Sequence, residues 1–127
     1  MNVLDENIRL DQILRLRRWR IQCRRLIEDL ASAGIKDPNV LPLLHHAKHP
    51  TFFTHDQDYF QQRLAHPAYS LVWLDLYDGL AAEFIRRYLM HPRFKTTAQR
   101  MGTVARVHRN GVHFWERNRS GLQNLPW

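Results

Sequence analysis

The sequence predicts an α/β fold in which a small parallel sheet lies between helices in three layers, followed by a C-terminal β-hairpin. Two observations lead there. Short apolar runs (Val3-Leu4, Thr51-Phe52-Phe53-Thr54 and Ser70-Leu71-Val72-Trp73-Leu74) are separated by stretches with helical periodicity. Strands separated by helices in this way imply a parallel sheet covered on both faces. Asn110-Gly111 stands between two β-rich segments, a strong short-range hairpin signal.

Val3-Leu4 is expected as the first strand. Leu10, Ile13, Leu14 and Leu16 then recur at helical spacing from about Arg9; Ile21, Leu26, Ile27 and Leu30 would also fit that stripe in a helix extended to Ser32, and the preferred reading is a break near Trp19 with Arg20-Ile21-Gln22-Cys23 as a short second strand. Ala33-Gly34 ends what precedes it. Asp37-Pro38 supplies an N-cap followed by proline at the first helical position, opening a helix that runs to about His46. His49-Pro50 closes that helix ahead of the Thr51–Thr54 strand. Asp56 to Leu64 reads as helical, Ser70–Leu74 as a buried strand, and Asp78 as the cap of an amphipathic helix carrying Leu80, Phe84, Tyr88 and Leu89 on one stripe. With Asn110 and Gly111 as the loop residues, Arg106 would face Trp115 and His108 would face His113, while Ala105, Val107, Val112 and Phe114 share the apolar side. The tail to Trp127, rich in Asn, Ser and Arg, is expected to be partly mobile. The organisation read from these elements is a core over 1–91 and a basic extension over 92–127, in the same domain or appended to it.

With 19 Lys and Arg against 12 Asp and Glu in 127 residues, the chain carries +7 and one domain's length. The charge is uneven. Residues 84–127 hold nine basic side chains against Glu116 alone, a net of +8, and residues 1–83 hold ten against eleven acids, a net of −1. Arginine outnumbers lysine sixteen to three, and its planar fork grips phosphates and stacks on bases. Nucleic acid is therefore the first candidate partner, with Arg106, Arg109, Arg117 and Arg119 on phosphates and Trp115 stacking a base. A single cysteine, Cys23, excludes an internal disulfide. Charged residues at Asp5 and Glu6 argue against a signal peptide, and no run approaches the ~18 apolar residues of a spanning helix. A soluble, cytoplasmic protein is expected.

Four acids fall where a metal-dependent nuclease needs them: Asp5 after the first strand, Asp37 in the middle, and Asp56 with Asp58 after the Thr51–Thr54 strand. Phosphodiester hydrolysis at neutral pH needs an activated water and neutralised charge on the leaving oxygen, and Mg²⁺ or Mn²⁺ provides both. Such hard ions take carboxylate oxygens and keep several waters, so a few acids brought together from separate strand ends suffice. Each acid also has an ordinary role: Asp37 as an N-cap, Asp58 as a first-turn residue favoured by the helix dipole. Asp75 and Asp78 also follow a strand and could replace Asp37 as a peripheral ligand, although a turn and a cap account for them. His45, His46 and His49 have zinc-like spacing but no cysteine or acid nearby to complete a set.

Leu4-Asp5-Glu6-Asn7, then Gly34-x-x-Asp37-x-x-Val40-Leu41, then Thr54-His55-Asp56-x-Asp58-Tyr59-Phe60 resemble, in that order, the short PIN-like domain family of bacterial and archaeal toxin ribonucleases. The resemblance covers about residues 2–76. It implies a PIN-like three-layer α/β/α fold and cleavage of RNA at an acidic Mg²⁺ or Mn²⁺ site. Its catalytic, metal-holding residues would be Asp5, Asp37, Asp56 and Asp58, with Asn7 and Thr54 orienting them through hydrogen bonds. It also implies a small antitoxin as partner, and a homodimer is a further expectation. Arg18-Trp19-Arg20 stands where the family commonly opens its second strand with Gly-His or Gly-Asp. From another class comes a second expectation, a catalytically weak PIN-like fold that binds RNA or a protein through its basic C-terminal third.

Overall fold

The computed structural model describes residues 1–26 and 40–127. Asp37, and the expected helix start at Asp37-Pro38, lie outside the described residues.

Among the described residues, seven strands form one sheet: β1 (Asn2–Leu4), β2 (Arg24–Arg25), β3 (Thr51–Thr54), β4 (Ser70–Leu74), β5 (Thr103–His108), β6 (Gly111–Glu116) and β7 (Gln123–Pro126). Their order is β2-β1-β3-β4-β5-β6-β7, parallel as far as β5 and antiparallel beyond it. The strands of 92–127 thus continue the sheet of 1–91 without a gap. The fold is mixed α/β, with the sheet growing outward from β1 in both directions. Strand order reverses between β1 and β3, and crevices at such reversals, beyond the carboxyl ends of the strands, are where open α/β sheets bind ligands.

Alternate strand residues feed two cores. Leu4, Phe53, Val72, Leu74, Ala105, Val107, Val112 and Phe114 pack under α1 (Leu10–Arg18) and α3 (Ala81–Met90). Val3, Phe52, Leu71 and Val104 face the other way, onto Leu44 of α2 (Val40–His46). Helix α1 buries Ile13 and Leu16 and stops at Arg18, at the expected break near Trp19. The amide of Arg20 reaches Arg17 O at 2.9 Å and that of Ile21 reaches Leu16 O at 3.0 Å, the paired bonds of a Schellman stop. Arg20 takes the left-handed position, φ 63°, that glycine usually fills.

Several expectations are corrected. The second strand is Arg24–Arg25, not Arg20–Cys23, because the Schellman turn uses Arg20 and Ile21 before the chain can extend. The helix expected over Asp56–Leu64 is two short 3-10 turns, Gln57–Tyr59 and Gln62–Leu64. Adjacent side chains on an α-helix diverge by about 100°, yet Tyr59 and Phe60 both descend onto one sheet face, against Phe52 at 5.2 Å and Trp115 at 4.5 Å. Asp78 does not cap α3. Gln12, buried on α1, does so instead, its Oε1 accepting the Ala82 amide at 2.9 Å.

The hairpin register also differs. The turn residues are Arg109 and Asn110, so Arg106 pairs with His113 and Val104 with Trp115. Gly111 opens β6 at φ 152° because β7 passes against it: a Cβ there would sit 2.1 Å from Leu125 O. The shift preserves the faces, and Ala105, Val107, Val112 and Phe114 remain together in the core. The tail forms β7, paired along Gly111–Phe114, with Trp127 Nε1 donating to His108 O at 2.8 Å. Among the described residues no helix is long and apolar enough to cross a membrane.

Candidate functional site

The reversal point carries a hydrogen-bonded knot centred on a buried hydroxyl. Asp5 continues the β1 ladder, its amide bonded to Phe53 O at 2.9 Å, which brings its side chain level with Thr54 at the end of β3. Thr54 is fully buried. Its Oγ1 donates to Asp5 Oδ2 at 2.6 Å and accepts from Asn7 Nδ2 at 3.3 Å and from the Asp56 amide at 3.0 Å. One donor and two acceptors exhaust a hydroxyl's capacity. Asn7 completes the clasp, its Oδ1 accepting the His55 amide at 3.1 Å.

The carboxylates hang from this knot. Asp5 Oδ1 accepts the Glu6 amide at 2.8 Å, and Asp56 Oδ1 accepts the Asp58 amide at 2.9 Å. Asp56 and Asp58 are exposed, Asp5 half-buried. Tyr59 registers all three: burial pushes its phenol up to about 12, and the charges of Asp5, Asp56 and Asp58 add to the rise. The three acids are thus close enough to act on one phenol. Even so, no group of three or more His, Cys, Asp or Glu is placed to hold a metal ion among the described residues.

Trp73 continues the row of side chains across the sheet, opposite Thr54, and Arg106 stands opposite Trp73. Phe60 covers Trp73 at 5.6 Å and Trp115 at 4.5 Å. Arg106 is committed: it lies 5.5 Å over Trp73 and holds Asp75 Oδ2 through Nε at 2.8 Å and Nη2 at 2.7 Å. That pairing occupies Asp75, the alternative ligand. Asp78 sits in the 3-10 turn before α3. Arg109 is exposed at the hairpin turn, on the same edge as the acids. Arg117 and Arg119 lie past the far end of β6, at the opposite edge, where Arg119 reaches Glu116 at 3.9 Å. The five residues expected on nucleic acid are therefore split between two edges.

Three features escaped the sequence reading. His55 Nδ1 donates to Leu74 O at 3.0 Å, while Nε2 is buried with no hydrogen-bond partner among the described residues. Tyr59 was legible as the aromatic directly after Asp58. The third is a basic run, Arg15, Arg17, Arg18, Arg20, Arg24 and Arg25, containing no acid. Averaging over 1–83 hid it, and a window of about one helix length would have found it.

Comparison with protein-family models, curated proteins and solved structures finds no match for this chain.

Proposed function

We propose that this protein is a PIN-like endoribonuclease dependent on Mg²⁺ or Mn²⁺, the toxin of a toxin–antitoxin pair whose antitoxin covers the acidic edge. The observation that carries this reading is the Thr54 hydroxyl, which ties Asp5 of one strand end to the Asp56 turn of the next at the sheet's reversal point. A divalent ion that keeps most of its water needs only one or two carboxylates, and Asp5 with Asp56 fits that requirement. When bound, such an ion supplies an activated water and charge neutralisation at phosphorus. The chain's own contribution is positional. Thr54 and Asn7 hold Asp5 and the Asp56 turn in fixed relation, Asp58 adds negative charge at the rim, and Tyr59 stays a neutral phenol able to donate to an anionic oxygen. Arg109 on the same edge supplies a cation for the substrate backbone. The net charge of +7 suits both RNA and an acidic protein partner.

One observation favours the rival reading, a catalytically weak fold that binds RNA or protein: the described residues contain no ready-made three-ligand metal set. Cleavage of unstructured RNA by wild type and by Asp5→Asn, each with Mg²⁺, Mn²⁺ or EDTA, separates the two. The nuclease reading expects cleavage by wild type with metal only. Equal cleavage by Asp5→Asn, or none by wild type under any condition, would end it.

A further inference from the structure

The sheet edge opposite the acids holds a cavity of about 610 Å³ whose lining includes Asn2, Arg17, Gln22, Arg24 and Arg100. Three guanidiniums line it and, among the described residues, no carboxylate does. Arg100 is only 6% exposed. Its Nε donates to Thr51 Oγ1 at 2.9 Å, Nη1 to Phe94 O at 2.8 Å and Nη2 to Thr97 Oγ1 at 3.4 Å, all neutral acceptors. Among the described residues no acid pairs with Arg100, Arg17 or Arg24. Buried charges are ordinarily paired, so an enclosed guanidinium without a carboxylate marks a place for an anion from outside. Burial also holds the Arg100 guanidinium below its ordinary value.

A second observation narrows the ligand. Asn2 donates through Nδ2 to Gln22 O at 3.0 Å, while its Oδ1 is buried with no hydrogen-bond partner among the described residues. Asn2 also lines the cavity, and a turn of its amide would present this unpaired acceptor to a ligand O–H or N–H beside the guanidinium donors. The carbonyls ending α1 do not oppose an anion here, because those of Arg15, Leu16 and Arg17 are taken by the amides of Trp19, Ile21 and Arg20.

We propose that this cavity binds the phosphate of a phosphate ester that also carries a hydroxyl, the chemistry of a ribonucleotide. Arg100 forms its floor, Arg17 and Arg24 grip the phosphate oxygens from the rim, and Asn2 Oδ1 accepts from the hydroxyl. The site stands apart from the acidic edge and does not depend on nuclease activity there.

The test is calorimetric titration and thermal shift of the whole chain with inorganic phosphate, a nucleoside 5′-monophosphate and a short RNA, against chloride at matched ionic strength. The comparison variant is the double substitution Arg17→Gln, Arg24→Gln. Both side chains are exposed, so this variant keeps the fold, as circular dichroism will confirm. Saturable binding by wild type, weakened at least about tenfold in the double variant through loss of charge-assisted hydrogen bonds, is expected. Asn2→Ala should weaken the monophosphate and leave inorganic phosphate unchanged. Tightest binding by RNA assigns the phosphate to a nucleic-acid backbone, and tightest binding by the monophosphate assigns it to a free nucleotide. No saturable binding of any probe, or equal affinity in wild type and double variant, overturns the proposal.

Discussion

Thr54 and Asp5, forty-nine positions apart, are joined at 2.6 Å across the β1/β3 boundary by a hydroxyl that has no bonding capacity left. Everything at the acidic edge depends on that contact. Thr54→Val keeps the shape and removes the hydroxyl, leaving Asp5 Oδ2, Asn7 Nδ2 and the Asp56 amide without it. Urea denaturation should show a loss of about 1–3 kcal/mol, and Thr54→Ser should recover most of it.

Metal linkage provides a test independent of turnover. An ion that binds only the folded protein adds about 2.7 kcal/mol at a hundredfold excess over its Kd. Mn²⁺ should raise the melting temperature of wild type and not that of the Asp5→Asn, Asp56→Asn double variant. Without metal, the double variant should melt below wild type, because an amide in place of the Asp5 carboxylate cannot accept from both the Thr54 hydroxyl and the Glu6 amide. An equal Mn²⁺ shift in both proteins would remove the metal site.

Tyr59 gives a pH signature. Its folded value of about 12 lies above the ordinary 10.0, so the neutral phenol is the favoured form in the folded protein. The stability this contributes is fully present below pH 10 and is lost as pH rises through about 12. Tyr59→Phe should flatten that part of the stability profile. Ultraviolet titration of phenolate should show wild type and Tyr59→Phe ionising the same number of tyrosines at pH 11, roughly one unit below the Tyr59 value.

The two arginines of the acidic edge should separate in a binding titration at several salt concentrations. Arg109 is exposed and unpaired among the described residues, so Arg109→Gln should lower the salt slope of RNA binding by about 0.7. Arg106→Gln should leave the slope nearly unchanged and lower the melting temperature, since it strips Asp75 of its bidentate partner. A full slope change from Arg106→Gln would show that the ion pair opens for RNA.

Arg20 holds a left-handed conformation, φ 63°, that an L side chain resists. Arg20→Gly should therefore stabilise the fold, unlike most mid-chain glycine substitutions, by roughly 0.5–1 kcal/mol in chemical denaturation. A loss of stability would mean that the Arg20 side chain contributes more than its backbone costs.

What the sequence made legible follows from burial. Thr51–Thr54 and Ser70–Leu74 are covered on both faces, so their composition alone marked them as strands, and acids after such strands arrive at the ligand-binding edge by topology. β2 was misplaced because Arg24 and Arg25 carry no apolar signal, and only their pairing with Val3 and Leu4 makes them a strand. Gly111 misled for a different reason. Its glycine is required by the passage of β7, whose Leu125 lies fourteen residues later in sequence, and local turn rules contain no such term. The Thr54 hydroxyl was foreseen as an orienting group, but its three simultaneous partners depend on the alignment of β1 with β3.

The sheet's two borders bear on how the molecule behaves when concentrated. Among the described residues, one border is a two-residue strand made of arginines, and the other ends in Pro126, which has no amide to donate. Short, charged or proline-bearing borders deter the ribbon-like growth by which exposed sheets aggregate. Such borders discourage copies of this chain from adding strands to one another.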